Sequence, residues 1–550
     1  MFNRLSYLLV CLLLFASTPR LLAEDAAPAS QSIPAEMARL IPAEAVGFAY
    51  TDSVTGFTTS LTQLVSAINP QMGGMVAFMG PASMLQQQVS TQKKVMTDGP
   101  AGIAFWPGAT LNDPPNYAVI FSIEDASPST VRAMGRGSRL IFLEGTNWLA
   151  VSHGGSSWTP AAEDAPTPSL AQGLLPGAMA INLDVKKFNS MNRDAMDNWT
   201  GNVVVDRELL SIAESISQFG MSMAMSDGNV DLAMQYTPTL DSKTAMKGDN
   251  AIVALSNRLP GDLPMQMVMG NSMLEAVAWL FFEERMQDKQ HLAALESALD
   301  AMQAEVVDGV GMSMGMSEYG LDLVKVFEVK DAARMFSMMD SYIAQLNDAK
   351  IGMNIERMKV LVGGDSARAY RVTAEGPDAG QLRSMLGPDG MIIRIISNKN
   401  MMAAVTGAPK LLGRTRRALT QASAAETVID SIATRSGGEM IMGMSMDLRA
   451  FMRGIVSYLQ NRGNVLGSAM DSGELMGIAQ VNIGSAPPTT VDASVSSHGD
   501  VVKMELDVEV VKIYKLYTEI NDQIEAIQAK RKAEEAEAAK EAAGEAPDKQ

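Results

Sequence analysis

The sequence predicts an α+β protein: antiparallel sheets with helices packed on one face, in two pseudo-equivalent halves built from four related units. Three observations predict it. Gly220 to Tyr236 reads GMSMAMSDGNVDLAMQY and Gly311 to Phe327 reads GMSMGMSEYGLDLVKVF, a duplicated hairpin. Short runs of alternating apolar residues flank Gly, Asn and Asp turns, the signal of strands and hairpins. Between those runs, apolar residues step by three and four, as on the buried stripe of a helix.

Residues 1–23 read as a secretory signal. Arg4 is the charged start, Leu5 to Ala16 the apolar run, and Leu21-Leu22-Ala23 the cleavage site before Glu24. The run is shorter than the roughly 20 apolar residues of a membrane span. Cys11, the one cysteine, lies within it, so the mature chain is expected to hold no thiol, disulfide or Cys-ligated metal. Val10 is too large for a lipoprotein cleavage site, which argues against a lipid anchor. The expected location is periplasmic or extracellular. Residues 24–38, rich in Ala, Ser and Pro, read as a flexible leader.

The first half, 39–249, holds two units. Ile41-Pro42 opens the strand Ala45–Tyr50, with Val46, Phe48 and Tyr50 on one face. Asp52 or Ser53 caps the next helix, whose stripe is Val54, Phe57, Leu61, Leu64 and Ile68. A Gly- and Met-rich connection leads to a second helix near Met84–Met96. Strands Gly102–Trp106 and Tyr117–Glu124 follow, then a short helix Ser129–Met134. After a further hairpin, Arg139–Phe142 with Trp148–Ser152, the order recurs. Leu175-Pro176 opens strand Ala178–Leu183, Asp184 is the cap, and a short helix runs through Val185 and Phe188. A helix Arg207–Phe219 leads into the duplicated hairpin, turning at Asp227-Gly228-Asn229.

The second half, 250–510, repeats the plan. Leu259-Pro260 opens strand Met265–Met269, Asn271 is the cap, and helices Met273–Met286 and His291–Val306 follow. The second hairpin copy comes next, then helix Ala332–Leu346. Strands Ala369–Thr373, Met391–Ser397 and Met401–Val405 precede a helix from Pro409 to Ala422. The fourth unit lacks the Leu-Pro pair. It runs strand Met440–Met446, cap Asp447, helix Leu448–Leu459 and hairpin Val491–Ser497 with Val501–Val508. Residues 511–528 form a C-terminal helix whose seam is Ile513, Leu516, Ile520, Ile524 and Ile527. Residues 529–550 read as a charged, disordered low-complexity tail.

With 47 % apolar residues the chain can bury large cores, and 42 Met against 15 Phe, 10 Tyr and 5 Trp make much of that core thioether. Net charge is −18, and loss of Arg4 and Arg20 with the signal makes it more acidic. Such a surface repels phosphate backbones, which argues against nucleic acid as a partner.

Met221, Met223 and Met225 alternate along one strand, as do Met312, Met314 and Met316, Met265, Met267 and Met269, and Met440, Met442, Met444 and Met446. Alternate residues of a strand share a face. The expectation is that these stripes are core. Two other readings are a Cu(I) site, since thioethers are soft ligands, and a deformable cavity for an apolar ligand. Gly311-Met312-Ser313-Met314-Gly315 spells a nucleophile elbow but sits mid-strand before a hairpin turn. The sibling has Ala224 in place of the second Gly, so the fold is expected not to need it. His153, His291 and His498 stand apart, none at metal-ligand spacing with another. Ser313, Asp492 and His498 have a hydrolase chain order that many chance triples share. Gly135-Arg136-Gly137 opens like a dinucleotide loop, but Leu140 replaces the third Gly and a strand follows. Glu283-Glu284 reads as solvated. Lys410, Arg414, Arg416 and Arg417 form one basic helix face.

The recurring Ile/Leu-Pro, strand, Asp/Asn cap and helix at Ile41-Pro42, Leu175-Pro176 and Leu259-Pro260 resembles exported bacterial proteins of unknown function that repeat such a unit. The resemblance spans Ile41 to about Val510; it implies export and carries over no catalytic residue. The sequence thus predicts an exported, soluble, non-catalytic protein acting by binding or scaffolding. Expected catalytic, cofactor and metal residues are none; the expected partner is a protein or an apolar ligand. The alternatives are an apolar-ligand carrier with a Met-lined cavity and a hydrolase-like enzyme.

Overall fold

The computed structural model describes residues 32–544 except 108–115, 135–136, 155–156, 191–215, 227, 239–247, 272–288, 349–352, 360–366, 376–389, 467–479 and 485–487. The first ten strands are β1 (Gly47–Thr51), β2 (Val89–Thr91), β3 (Ala101–Trp106), β4 (Asn116–Ser122), β5 (Val131–Ala133), β6 (Arg139–Phe142), β7 (Trp148–His153), β8 (Met179–Asp184), β9 (Ile216–Ser226) and β10 (Asn229–Pro238). The next are β11 (Met265–Gly270), β12 (Val306–Ser317), β13 (Gly320–Val329), β14 (Met353–Met358), β15 (Ala367–Ala374), β16 (Met391–Asn398), β17 (Met401–Thr406), β18 (Glu439–Asp447), β19 (Thr490–His498) and β20 (Val501–Val508). The helices are α1 (Ala35–Arg39), α2 (Val54–Ile68), α3 (Pro70–Met79), α4 (Pro81–Gln86), α5 (Lys289–Gln303), α6 (Ala332–Asp348), α7 (Pro409–Thr420), α8 (Val428–Ser436), α9 (Leu448–Leu466) and α10 (Val510–Gly544).

The caps explain several helix starts. Ser53 Oγ accepts from Gly56 N, Asp184 Oδ1 from Lys187 N at 2.8 Å, and Asp447 Oδ1 from Ala450 N at 3.1 Å. Each satisfies a backbone donor that the first helical turn leaves free.

The chain packs as two compact units. One is Met1–Lys247 with Arg435–Glu439 and Asp492–Val511; the other is Gly248–Thr434, Met440–Val491 and Lys512–Gln550. The last hairpin, however, leaves the second half. β20 pairs with β10, Val230 facing Val508 through Tyr236 facing Val502, and that ladder takes Asp492–Val511 into the first unit.

In the first unit the strand order is β6-β7-β4-β3-β1-β8-β9-β10-β20, antiparallel throughout. Ile120 packs with Met37, Leu40, Phe48 and Tyr50 on one side. Its neighbours Val119 and Phe121 pack with Val54 of α2 and Leu85 of α4 on the other. In the second unit the order is β14-β15-β16-β17-β13-β12-β11-β18, again antiparallel. Val326 packs with Leu411 and Leu419 of α7, and the adjacent Phe327 with Met335 and Phe336 of α6. Successive strand residues point to opposite faces, so both sheets carry helices on both faces. This corrects the one-faced expectation: β4 and β13 are apolar at both parities and cannot leave one side to water.

The duplicated segments have the same backbone pairing. Ser226 faces Asn229 as Ser317 faces Gly320, and Phe219 faces Tyr236 as Val310 faces Phe327. The preceding strand joins both at the same place, Met179 opposite Met223 and Met265 opposite Met314. Gly228 supports its turn with φ +87°.

Several expected elements differ. The Gly- and Met-rich connection is helix α3, started by Asn69, whose Oδ1 accepts from Gln71 N and Met72 N, with Pro70 at the first helical position. The helix expected near Met84–Met96 is instead α4 followed by β2. The helix expected at Ser129–Met134 contains β5, which pairs with β2. Of Arg207–Phe219, Ile216–Phe219 belong to β9 and the rest lies outside the described residues, as does helix Met273–Met286. The tail does not end the last helix at 528: α10 runs to Gly544. Its apolar seam, Leu516, Ile520, Ile524 and Ile527, packs with Val456, Val481 and Ile483. Beyond it, Lys530–Glu534 and Arg531–Glu535 ion pairs at i,i+4 support the helix.

Candidate functional site

The two faces of β12 differ in chemistry, and the difference builds the site. Gly311, Ser313 and Gly315 form the closely packed face. A Cβ on Gly311 would meet Leu255 Cβ at 3.1 Å, and one on Gly315 would meet Pro264 Cδ at 2.7 Å. Ser313, fully buried, donates from Oγ to Pro260 O at 3.2 Å. The segment Leu255–Pro264 therefore lies over the small residues. Gly315 is needed by this contact, contrary to the expectation drawn from Ala224.

The opposite face is methionine. Across the sheet, Met314, Met265 and Met446 form one row, Met312, Met267 and Met444 the next, and Val310, Met269 and Met442 a third. Met265, Met267, Met269, Met442 and Met444 are buried; Met312, Met314, Met316 and Met446 are only half-buried. Gly454 of α9 approaches the Met316 carbonyl at one end of this face, and α6 covers the Phe327–Met402 end. The stripes thus fill core along β11 and most of β18 but stay partly open along β12. In the first unit Met225 is buried while Met221 and Met223 are half-buried. Met440 packs with Ile252 and Val268.

Lys325, Arg368 and Arg357 stand on the methionine face of the second unit, and the two arginines pair with Asp340. Lys325 lies on β13 between Leu323 and Phe327, opposite Met312 on one side and Ala404 on the other. Among the described residues its ammonium has no ion-pair or hydrogen-bond partner. The side chain is exposed, yet desolvation pushes its pKa below the ordinary lysine value. Nothing in the sequence pattern singled out Lys325; the signal was its place in the copy, where the sibling hairpin has Met234.

The other expected candidates do not converge. His153 stacks on Tyr117 at 4.5 Å, with Nδ1 3.1 Å from Ser138 Oγ and Nε2 2.9 Å from Gln88 Oε1; burial lowers its pKa. His498 Nε2 lies 3.1 Å from Ser496 Oγ, and burial lowers its pKa too. Asp492 pairs with Arg435 at 3.0 Å. Ser313 is spoken for by Pro260. The His291 side chain, Glu283-Glu284 and Gly135-Arg136 lie outside the described residues. Leu140 sits on β6, so a strand follows Gly137. Of the basic face, Arg414 pairs with Asp262, while Lys410, Arg416 and Arg417 are exposed. Among the described residues no three His, Cys, Asp or Glu are grouped to hold a metal, and no helix is long and apolar enough to cross a membrane.

No family model and no curated protein matches the chain. Crystal forms I and III of TP0453 align with 48 % of this chain and with 97 % and 96 % of their own. Their TM-scores are 0.22 and 0.23 and their identities 5 % and 6 %, a likeness that carries no argument.

Proposed function

We propose that this chain is an exported, non-catalytic binding protein, and that the methionine face of its second unit receives an apolar ligand bearing one anionic group. The observation that carries this reading is Lys325, a cation without a partner among the described residues, set beside Met312, Leu323, Phe327 and Ala404. The Lys325 side chain is exposed, so its ammonium is open to a charge-assisted contact with an anionic head group. Half-buried thioethers adapt to a flexible apolar body. Export is supported by the run Leu5–Ala16 with its site at Ala23. The identical registers of the two hairpin copies support an origin in which two halves arose from four related units. The separate engagements of Ser313, Asp492, His153 and His498 favour binding over hydrolysis.

The test is calorimetric titration of the protein, stripped of bound lipid, with dodecanoate and with uncharged dodecanol. Dodecanoate is expected to bind at least about tenfold tighter, the scale of one desolvated charge pair. Lys325→Met should erase the preference while leaving the fold intact by circular dichroism. No dodecanoate binding, or equal binding by the variant, overturns the proposal.

A further inference from the structure

Ser53 to Gln92 contains no Asp, Glu, Lys, Arg or His in a chain whose charged share is 19 %. The stretch holds α2, α3, α4 and β2. α2 packs toward β9, and α3 and α4 pack on α2. Gly73 is buried where α3 meets Ser66, so α3 lies close along α2. The outward side is apolar: Met72 is 55 % exposed, Met75 62 %, Phe78 81 %, Met79 61 % and Met84 60 %. Met72, Met75 and Met79 follow helical i, i+3, i+7 spacing and so share a stripe. Gln71, Gly74 and Ala77, also exposed, add no charge. Clustered exposed apolar side chains of this kind mark an interaction surface.

We infer that the outer side of α3 and α4 lies in the surface of a zwitterionic phospholipid bilayer. Three features choose this occupant. The hot spots of protein-docking surfaces concentrate Trp, Tyr and Arg, and Ser53–Gln92 has none of the three. The patch carries no charge that would resist entry among acyl chains, while the acidic remainder of the molecule is repelled by anionic lipid. The ten residues of α3 span about 15 Å, too short to cross, and Met72, Met75, Phe78 and Met79 stand outward from it. Binding then comes from apolar area and is insensitive to salt.

The test uses the full chain with phosphatidylcholine vesicles. Phe78→Trp is expected to give, after subtraction of the parent spectrum, a blue-shifted indole emission that brominated acyl chains quench, equally at low and high salt. Met75→Glu with Phe78→Glu should lower vesicle partitioning at least tenfold relative to parent while its thermal melt is unchanged. An unshifted, unquenched emission from the Phe78→Trp variant overturns the inference. So does binding that the double variant retains, or a dimer that the double variant abolishes with no vesicle binding by the parent.

Discussion

Met267 and Met312 are cross-strand neighbours in one sheet face, yet one is buried and the other half-open. Met267→Ala should cost about 2–5 kcal/mol in denaturant unfolding, as a buried cavity does, and Met312→Ala less than half as much. Equal costs would show that β12 is as closed as β11. At Gly315 the crowding by Pro264 predicts that Gly315→Ala destabilises by about 1–3 kcal/mol. His153 supplies a pH dependence. Its folded pKa is below the unfolded value, so the native state resists protonation. Its share of stability is present above about pH 6.5 and is lost as pH falls through the lower folded pKa. Thermal melts should therefore drop from pH 7 to 5, and His153→Gln should flatten that drop. At this scale the sequence was a partial guide. Alternation put the methionines on shared faces, but the depth of each face depends on which helices cover it, and Lys325 acquires meaning only from neighbours on β12 and β17.

Hairpins were the most legible elements, because turn chemistry and alternation act over a few residues. Both copies follow from that local code; the registers that join them to β8 and β11 pair residues distant in sequence and do not. α3 was not legible, since Gly73-Gly74 and Pro70 look like loop until Asn69 caps the helix and Ser66 meets Gly73. β5 was missed because three residues carry no periodicity. In α10 the seam ends at Ile527 while the helix continues to Gly544. Truncation after Ala529 should therefore leave the melting temperature within about 1 °C, whereas Leu516→Ala should lower it by several degrees, as a cost of about 2–5 kcal/mol implies. A large loss on truncation would mean that residues 530–544 make packing contacts of their own.

The composition of the whole molecule bounds its partners better than any motif does. An acidic chain with a methionine-rich interior, a lysine on the methionine face that has no partner among the described residues, and a charge-free segment is suited to apolar and amphiphilic partners. The place of Asp492–Val511 in the first unit was not legible, because the β10–β20 ladder joins residues more than 260 apart in sequence. The most direct test of the binding site is anomalous diffraction from crystals grown with 12-bromododecanoate. The expected map places bromine beside the Met267–Met312 row and the carboxylate within about 3 Å of Lys325 Nζ. Bromine bound elsewhere, with Lys325 facing only solvent, would contradict the account.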